Sequence, residues 1–284
     1  MTFETPRPVL ATIGLVVGEL RLVAGERDTT TVEVRPTDPS NHEDVQAAEK
    51  TRVECSGDRL QVTAPRTRNW ISRSSGGSID VAIELPAGSS VRATGAMADF
   101  TCEGPLGDCW VKNGIGQVRI EQAEKLSVKS GAGDIEVGRV AGVAELATGS
   151  GDVRAGELAG SAVVKNSNGD TWVGVAGASL RLNAANGNLA VALAHADVVA
   201  KAANGDVRLG EIVTGTVVLE TAVGDVEVGI PAGTAAWLDV NAAAGRIDNL
   251  LEAGEAPEKS TNRVEVRART ALGNIVIRRP EEAR

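Results

Sequence analysis

A turn made of glycine followed by a polar residue recurs through the middle of the chain, and it constrains the fold more than any other feature. Its copies begin at eight glycines: Gly116, Gly133, Gly151, Gly169, Gly187, Gly205, Gly224 and Gly245. The spacing of successive copies is nearly constant, at about 18 residues, and widens slightly at the last copies. A fixed period of this size predicts a stack of similar units, each packed on its neighbours, rather than one globular core.

Within each period, apolar residues alternate with polar ones. With the turn glycine as position zero, the second position reads Ile135, Val153, Thr171, Leu189 and Val207, and the fourth reads Val137, Ala155, Val173, Val191 and Leu209. On the return half, position eleven reads Ala144, Ala162, Leu180 and Val198, and position thirteen reads Leu146, Val164, Leu182 and Ala200. This period of two predicts two short strands per repeat and does not fit a helix, whose apolar residues recur at three and four.

Two strands per period, each stacked on the same strand of the next repeat, predict an all-β protein: a right-handed parallel β-helix or solenoid with about 18 residues per coil. We expect three segments: an N-terminal β cap and loop at residues 1–75, solenoid repeats at 76–250, and a C-terminal loop with closing strands at 251–284. The cap would protect the first coil, whose strand edges could otherwise pair with other chains.

Composition limits the core and the partners. The chain has 42% hydrophobic residues, 2% aromatic residues and 33 glycines, so Val, Ala, Leu and Ile must fill the interior. A net charge of -9 disfavours a nucleic-acid reader and a binder of anionic membranes, since both need a basic surface. We therefore expect neither nucleic-acid binding nor membrane insertion.

The N-terminal region has an apolar run at residues 9–17, but Glu4 and Glu19 flank it and glycines interrupt it. A signal peptide needs a basic start and a small-residue cleavage site, and a membrane span needs a longer run. We interpret the run as a first strand and expect a cytoplasmic protein. The three cysteines form no CxxC pair and no disulfide framework, which agrees with a reducing compartment.

The stretch from residue 66 to 78 is the most loop-like, with three arginines and Trp70. A basic loop with one aromatic could grip a single-stranded nucleic acid. An acidic chain gives such a loop weak electrostatic support, so we interpret it as a surface loop with Trp70 folded onto the β surface. A second polar excursion is expected at residues 250–263, before the last pair of strands.

The repeated Gly-Asp turns carry a resemblance to a known family. At residues 131–137 (Gly-Ala-Gly-Asp-Ile-Glu-Val), 149–153 and 166–170, the chain resembles bacterial β-strand-repeat domains of unknown function labelled "putative adhesins". The resemblance covers roughly residues 79–278. It implies a repeat architecture and no catalytic residues, and because members are often exported or membrane-anchored, it also implies a surface adhesin as an alternative.

An acidic column follows the turn glycines: Asp134, Asp152, Asp170, Asp206 and Asp225, with Gln117 and Asn188 in equivalent places. In stacked coils these carboxylates would lie about 5 Å apart and repel each other by roughly 1 kcal/mol per pair. A calcium ion between coils would relieve the repulsion, so the five aspartates are candidate metal ligands. We favour a structural interpretation, in which glycine adopts a positive φ and aspartate bonds nearby backbone N–H groups. The structural turn residues are then Gly133, Gly151, Gly169, Gly187, Gly205 and Gly224.

Two further sets of residues fit structural roles. Asn168, Asn186 and Asn204 recur at the period of the turns and predict an amide ladder, although a carbohydrate-binding surface could use such residues with Trp172. Cys102 and Cys109 fall at inward positions of one coil, so we expect buried free thiols that face each other, rather than a disulfide or a catalytic pair.

The sequence predicts a non-enzymatic structural or interaction scaffold without a cofactor. It would present a long polar face to a protein partner or to copies of itself, so a homo-oligomer is possible. The alternatives are a calcium- or ligand-binding module that uses the aspartate column, and an exported surface adhesin. No phosphate-binding glycine loop or Ser-His-Asp arrangement supports an enzyme.

Overall fold

The computed structural model describes residues 1–65, 77–251 and 262–280. The expected basic loop around Trp70 and most of the second polar excursion lie outside these ranges. The chain divides into two compact units, unit one (Met1–Gly138) and unit two (Arg139–Arg284). This division rests on contacts alone, and the three segments expected from the sequence stay a prediction.

Unit one contains nine strands and one helix in its described part. Their bounds are β1 (Thr2–Glu4), β2 (Leu10–Gly14), β3 (Val17–Gly25), β4 (Thr29–Pro36), α1 (His42–Lys50), β5 (Arg52–Ser56), β6 (Arg59–Thr63), β7 (Ile79–Pro86), β8 (Ser90–Ile115) and β9 (Val118–Ala132). A tenth strand, β10 (Ile135–Val140), contains the boundary between the units.

Parallel coils begin earlier in unit one than the turn period suggests. Strand β2 pairs in parallel with the first part of β8, and β3 pairs in parallel with its middle part, where Leu20 lies opposite Phe100. The stack continues from β8 to β9, with Phe100 opposite Val118, one period further along the sequence. Residues 10–25 therefore already form a coil, although a long stretch of sequence separates them from their partners in β8.

Antiparallel strands and one helix complete the described part of unit one. Strand β4 is antiparallel to both β1 and β7, and β5 is antiparallel to β6. Helix α1 starts after Asn41, whose side chain accepts the N–H of Glu43, and its buried Asp44 accepts N–H groups of Asp38 and Ser78. The N-cap and the Asp44 contacts support this helix of nine residues, which is more than two turns.

Unit two is the regular part. Its strands are β11 (Ala144–Thr148), β12 (Val153–Leu158), β13 (Ala162–Asn168), β14 (Thr171–Ala176), β15 (Leu180–Asn186), β16 (Leu189–Ala194), β17 (Val198–Asn204), β18 (Val207–Ile212), β19 (Gly215–Val223), β20 (Val226–Gly229), β21 (Ala235–Ala244), β22 (Ile247–Asn249), β23 (Arg263–Leu272) and β24 (Ile275–Arg278).

Each coil of unit two contributes one strand to each of two parallel sheets. One sheet runs from β11 through β13, β15 and β17 to β19, and the other runs from β12 through β14, β16 and β18 to β20. Opposed residues such as Ala162, Leu180 and Val198 lie one period apart in sequence, and all three are buried. The all-β fold and the parallel solenoid are confirmed, with the coil length that the spacing of the turns predicted.

The last coils are stacked out of sequence order. Strand β23 pairs with β19 on one side and β21 on the other, so Val266 lies between Val217 and Leu238. Strand β24 lies in the same way between β20 and β22. The strands that close the sequence are thus inserted into the stack, and β21 with β22 forms its last coil, called the end coil below.

Candidate functional site

Backbone geometry requires glycine at the turn positions. In unit two, φ is +129° at Gly151, +131° at Gly169, +128° at Gly187, +138° at Gly205 and +141° at Gly224. A Cβ atom at Gly187 would overlap the carbonyl of Gly169, and the same relation repeats from Gly205 to Gly187 and from Gly224 to Gly205. In unit one, Gly133 has a φ of +128° and the same relation to Gly116. Glycine is therefore required twice, for its φ and for the close approach of the coils.

The acidic column in unit two is a relay of hydrogen bonds between turns. Each Oδ1 accepts the backbone N–H of the equivalent residue one coil further on: Asp152 from Asp170 at 3.0 Å, Asp170 from Asn188 at 2.8 Å, Asn188 from Asp206 at 2.9 Å, Asp206 from Asp225 at 2.9 Å, and Asp225 from Asn274 at 2.7 Å. An asparagine serves as well as an aspartate, because the relay needs one acceptor oxygen and no charge.

The second carboxylate oxygen is also engaged at two turns. Oδ2 of Asp152 lies 3.2 Å from the guanidinium of Arg154, and Oδ2 of Asp206 lies 3.0 Å from that of Arg208. In residues 1–65, 77–251 and 262–280, no group of three His, Cys, Asp or Glu side chains is placed to hold a metal ion. At Asp152 and Asp206, the arginines supply the opposite charge that a cation would provide.

Unit one contains an equivalent turn contact. Oδ1 of Asp99 accepts the N–H of Gln117 at 2.7 Å, although alanine precedes this aspartate where the other turns have glycine. The backbone carbonyl of Asp134 accepts the N–H of Val118 at 2.9 Å. Unit one therefore uses the same turn chemistry, although its sequence pattern is weaker.

The asparagines form the expected ladder. Nδ2 of Asn186 donates to Oδ1 of Asn168, and Nδ2 of Asn204 donates to Oδ1 of Asn186, both at 3.0 Å. In register, the same column continues through Val223 and Leu272 to Ala244. The ridge therefore changes from bonded amides to exposed apolar side chains toward the end coil.

The thiols of Cys102 and Cys109 in unit one are both free and buried. Burial raises the pKa of Cys102 to about 12 and, together with the neighbouring Cys102, raises the pKa of Cys109 well above its usual value. A thiol held in its protonated form is a poor nucleophile. The pair belongs to the core, as the alternation of the strand predicts.

The end coil exposes large apolar side chains and one strand edge. Trp237 is 57% exposed and Leu250 is 62% exposed, and Ile247 is exposed beside them. An open depression of about 510 Å³ adjoins Trp237 where β19, β21 and β23 begin; it is lined by Thr214, Gly215, Thr216, Ala235, Ala236, Trp237, Arg263, Val264 and Glu265. Among the described residues, β21 pairs only with β23.

The direction of the unpaired backbone groups follows from one contact. The N–H of Ala235 donates to the carbonyl of Asn262, next to β23, at 3.2 Å. Backbone groups alternate in direction along a strand, so Ala235, Trp237, Asp239 and Asn241 point toward β23. The N–H and C=O groups of Leu238, Val240 and Ala242 therefore point away from it, to the free edge.

Sequence reasoning missed this edge and two further turns. Gly18 and Gly273 have φ values of +133° and +151°, and each is followed by a polar residue and then by apolar residues at the second and fourth positions. Their turns pack on residues distant in sequence, Ile79 for Gly18 and Gly224 for Gly273. A search for the pattern without a fixed spacing could have found both.

The comparisons with known proteins concern the family and the fold. The family model described as Toastrack DUF4097 matches residues 19–174, slightly more than half of the chain. A protein described as a "putative cell adhesion protein" from Clostridium sporogenes ATCC 15579 is 13% identical, with 98% of both chains covered and a TM-score of 0.26. A "putative adhesin" from Bacteroides fragilis NCTC 9343 is 13% identical over 98% of this chain and 95% of its own, with a TM-score of 0.42. Scores this low describe a distant likeness.

No functionally curated protein matches the sequence. In the ranges that the structure describes, no helix is long and apolar enough to cross a membrane.

Proposed function

The chain belongs to the Toastrack DUF4097 family, a domain family of unknown function, and on that premise we propose that it is a non-enzymatic, adhesin-like interaction scaffold. The coils of unit two act as a rigid carrier, and the end coil is the surface through which the chain binds a protein.

One observation carries this proposal. Strand β21 is ten residues long, pairs on one edge only among the described residues, and exposes Trp237. A long unpaired strand edge is a template for another strand, whose backbone hydrogen bonds supply affinity. A large exposed aromatic residue beside it is the kind of side chain that dominates protein interfaces.

The other surfaces of unit two support the choice of the end coil. Several of its outward charges lie in pairs, for example Lys201 with Glu220 at 2.7 Å and Arg267 with Glu265 at 2.7 Å. The turn carboxylates accept backbone N–H groups. These side chains already have partners within the chain, whereas the backbone edge of β21 has none among the described residues.

We also propose that the protein acts in the cytoplasm. The apolar run at residues 9–17 contributes the buried side chains of Val9, Ala11, Ile13 and Leu15 to the core of unit one. The run is therefore part of the folded core of unit one.

The test is recovery of a tagged full-length chain from its native host, fractionated by compartment, with mass spectrometry of the proteins that accompany it. The Val240→Pro variant removes one N–H group at the free edge without removing a bond to β23. The control is Trp172→Ala, which removes an exposed tryptophan from an interior coil.

We expect a stoichiometric partner that is lost with Val240→Pro and kept with Trp172→Ala. A partner kept by both variants would contradict the end coil as the binding surface. Recovery outside the cell or in the envelope would contradict the cytoplasmic assignment and favour an exported adhesin.

A further inference from the structure

We propose that the occupant of the β21 edge is a second copy of this chain, paired antiparallel about a twofold axis at Val240. This inference rests on the proposed function, because it names the partner of the same end coil.

The backbone of β21 fits a copy of itself. In an antiparallel pair centred on Val240, that residue lies opposite Val240 of the second copy, and Leu238 lies opposite Ala242 of the second copy. All three residues direct their N–H and C=O groups to the free edge, so each opposed pair exchanges two backbone hydrogen bonds. The inward faces also match, because these three side chains lie in the columns that fill the interior of the coils.

The charges favour this register over the one centred on Asp239. Asp239 is the single charged residue of β21, and its carboxylate lies 3.6 Å from the guanidinium of Arg269 in β23. A pair centred on Asp239 would place two carboxylates directly opposite each other, which is unfavourable across strands. A pair centred on Val240 places Asp239 opposite Asn241 of the second copy, where an amide N–H can donate to the carboxylate, twice by symmetry.

The outward side chains of β21 also allow the two copies to approach each other. In the Val240 register, Trp237 lies opposite Ala243 of the second copy, so the large indole faces a small residue. The ten residues of β21 include no lysine, arginine or proline, the residues that commonly protect a strand edge.

The other described edges fit β21 less well. Strands β1, β5 and β22 each pair with one described strand, but they have three, five and three residues. Their charged residues are Glu4, Arg52, Glu54 and Asp248. Such short, charged edges cannot match the long and nearly uncharged β21. A twofold contact between identical edges also closes at two copies, so we expect a dimer and not a filament.

The first measurement is sedimentation of the full chain over a range of concentrations, together with hydrogen exchange of the β21 amides. We expect a monomer–dimer equilibrium in which the amides of Leu238 and Val240 exchange rapidly in the monomer and slowly in the dimer. The amide of Asp239, bonded toward β23, should be protected in both states. Val240→Pro should leave a folded monomer at every concentration.

A charge series tests the register without depending on proline. Asn241→Asp places a carboxylate opposite Asp239 of the second copy and should weaken the dimer about fivefold, whereas Asn241→Lys should strengthen it by a similar factor. Asn241 lies opposite Arg269 of β23, so the aspartate does not weaken the monomer. The matched control is Asn183→Asp, in the same outward column between Lys165 and Lys201, which should leave dimerisation unchanged.

Three outcomes would overturn the inference. A monomer with rapidly exchanging Leu238 and Val240 amides excludes the second copy but leaves the proposed function intact, if Val240→Pro still loses another protein. A monomer in which these amides are slow shows an edge covered from within the chain and contradicts both proposals. A dimer unaffected by Val240→Pro and by the Asn241 series uses another surface.

Discussion

The outermost described strands of the two units differ in length, direction and charge. In unit one these are β1 and β5, which are short, antiparallel to their neighbours and charged. In unit two these are β21 and β22 of the end coil; β22 is short, whereas β21 is long, parallel to its neighbour and almost uncharged. An exposed strand edge can pair with another chain, and short charged strands or a covering helix protect against such pairing. The proposed binding through β21 depends on this contrast.

The largest expected effect comes from a comparison of two glycine substitutions, one in an interior turn and one in the loop before the end coil. Gly187→Ala forces a Cβ onto the carbonyl of Gly169 at a φ of +128°, so we expect a loss of about 4 kcal/mol or no folded protein. Gly233 has a φ of +77° and open space around it, so Gly233→Ala should cost about 1 kcal/mol. Urea unfolding of both variants measures the difference. Equal losses would mean that close approach of the coils does not require glycine.

The next comparison uses two leucines of one column. Leu180 is buried in an interior coil, whereas Leu238 is half-buried in the end coil. Leu180→Ala leaves a cavity and should cost about 2–5 kcal/mol, whereas Leu238→Ala in the dilute monomer should cost less than about 1 kcal/mol. Chemical unfolding at low protein concentration checks both values. A large cost at Leu238 in the monomer would show that the end coil is covered.

A smaller effect is expected at the turn relay. Asp170→Ala removes the acceptor for the N–H of Asn188 and should cost about 1 kcal/mol, whereas Asp170→Asn keeps an acceptor oxygen and should be nearly neutral. Added calcium should not shift the melting temperature of the wild type, since the column already has its partners. A calcium-dependent rise that Asp170→Asn abolishes would instead establish the aspartates as metal ligands.

The smallest effect concerns the strands that close unit one. Glu84 of β7 contacts Arg27 at 2.6 Å and Thr31 of β4 at 2.9 Å, and these bonds, with the Arg27 charge, lower the pKa of its carboxyl. The resulting stabilisation is present above the pKa of the unfolded state, near pH 4.5, and is lost as the pH falls through the lower folded value. For so exposed a pair it amounts to about 0.2–1 kcal/mol.

The measurement for Glu84 is the urea midpoint of wild type and Glu84→Gln at pH 7 and near pH 3. The difference between the two proteins should be present at pH 7 and should shrink in acid. A difference that does not change with pH would show that the charge of Glu84 does not hold β4 on β7.

The regular coils were predictable from the sequence because residues one repeat apart in sequence are also neighbours in space there. Leu180 lies opposite Val198, the equivalent residue of the next repeat, so one period gives the register, the inward columns and the asparagine ladder. The predicted burial of Cys102 and Cys109 followed from the same alternation, and the structure confirms it.

The remaining parts depend on contacts that spacing does not encode. Leu20 pairs with Phe100 across a long insertion, so no period identifies residues 10–25 as a coil. The order of the last three coils is equally hidden, because the inward residues Val217, Val266 and Leu238 are similar in shape and any of them could stack on another. The free edge of β21 follows from that order, and for this reason the sequence could not predict it.

The inserted position of β23 has a consequence for biosynthesis. A ribosome adding about 5–20 residues per second releases β21 roughly 1–6 seconds before the end of β23. During that interval β19 has no β23 to pair with, and β21 is the strand at hand with matching apolar residues. We expect β21 to pair first with β19 and then to be displaced by one coil when β23 emerges. A released chain that ends before residue 263 would keep this earlier arrangement.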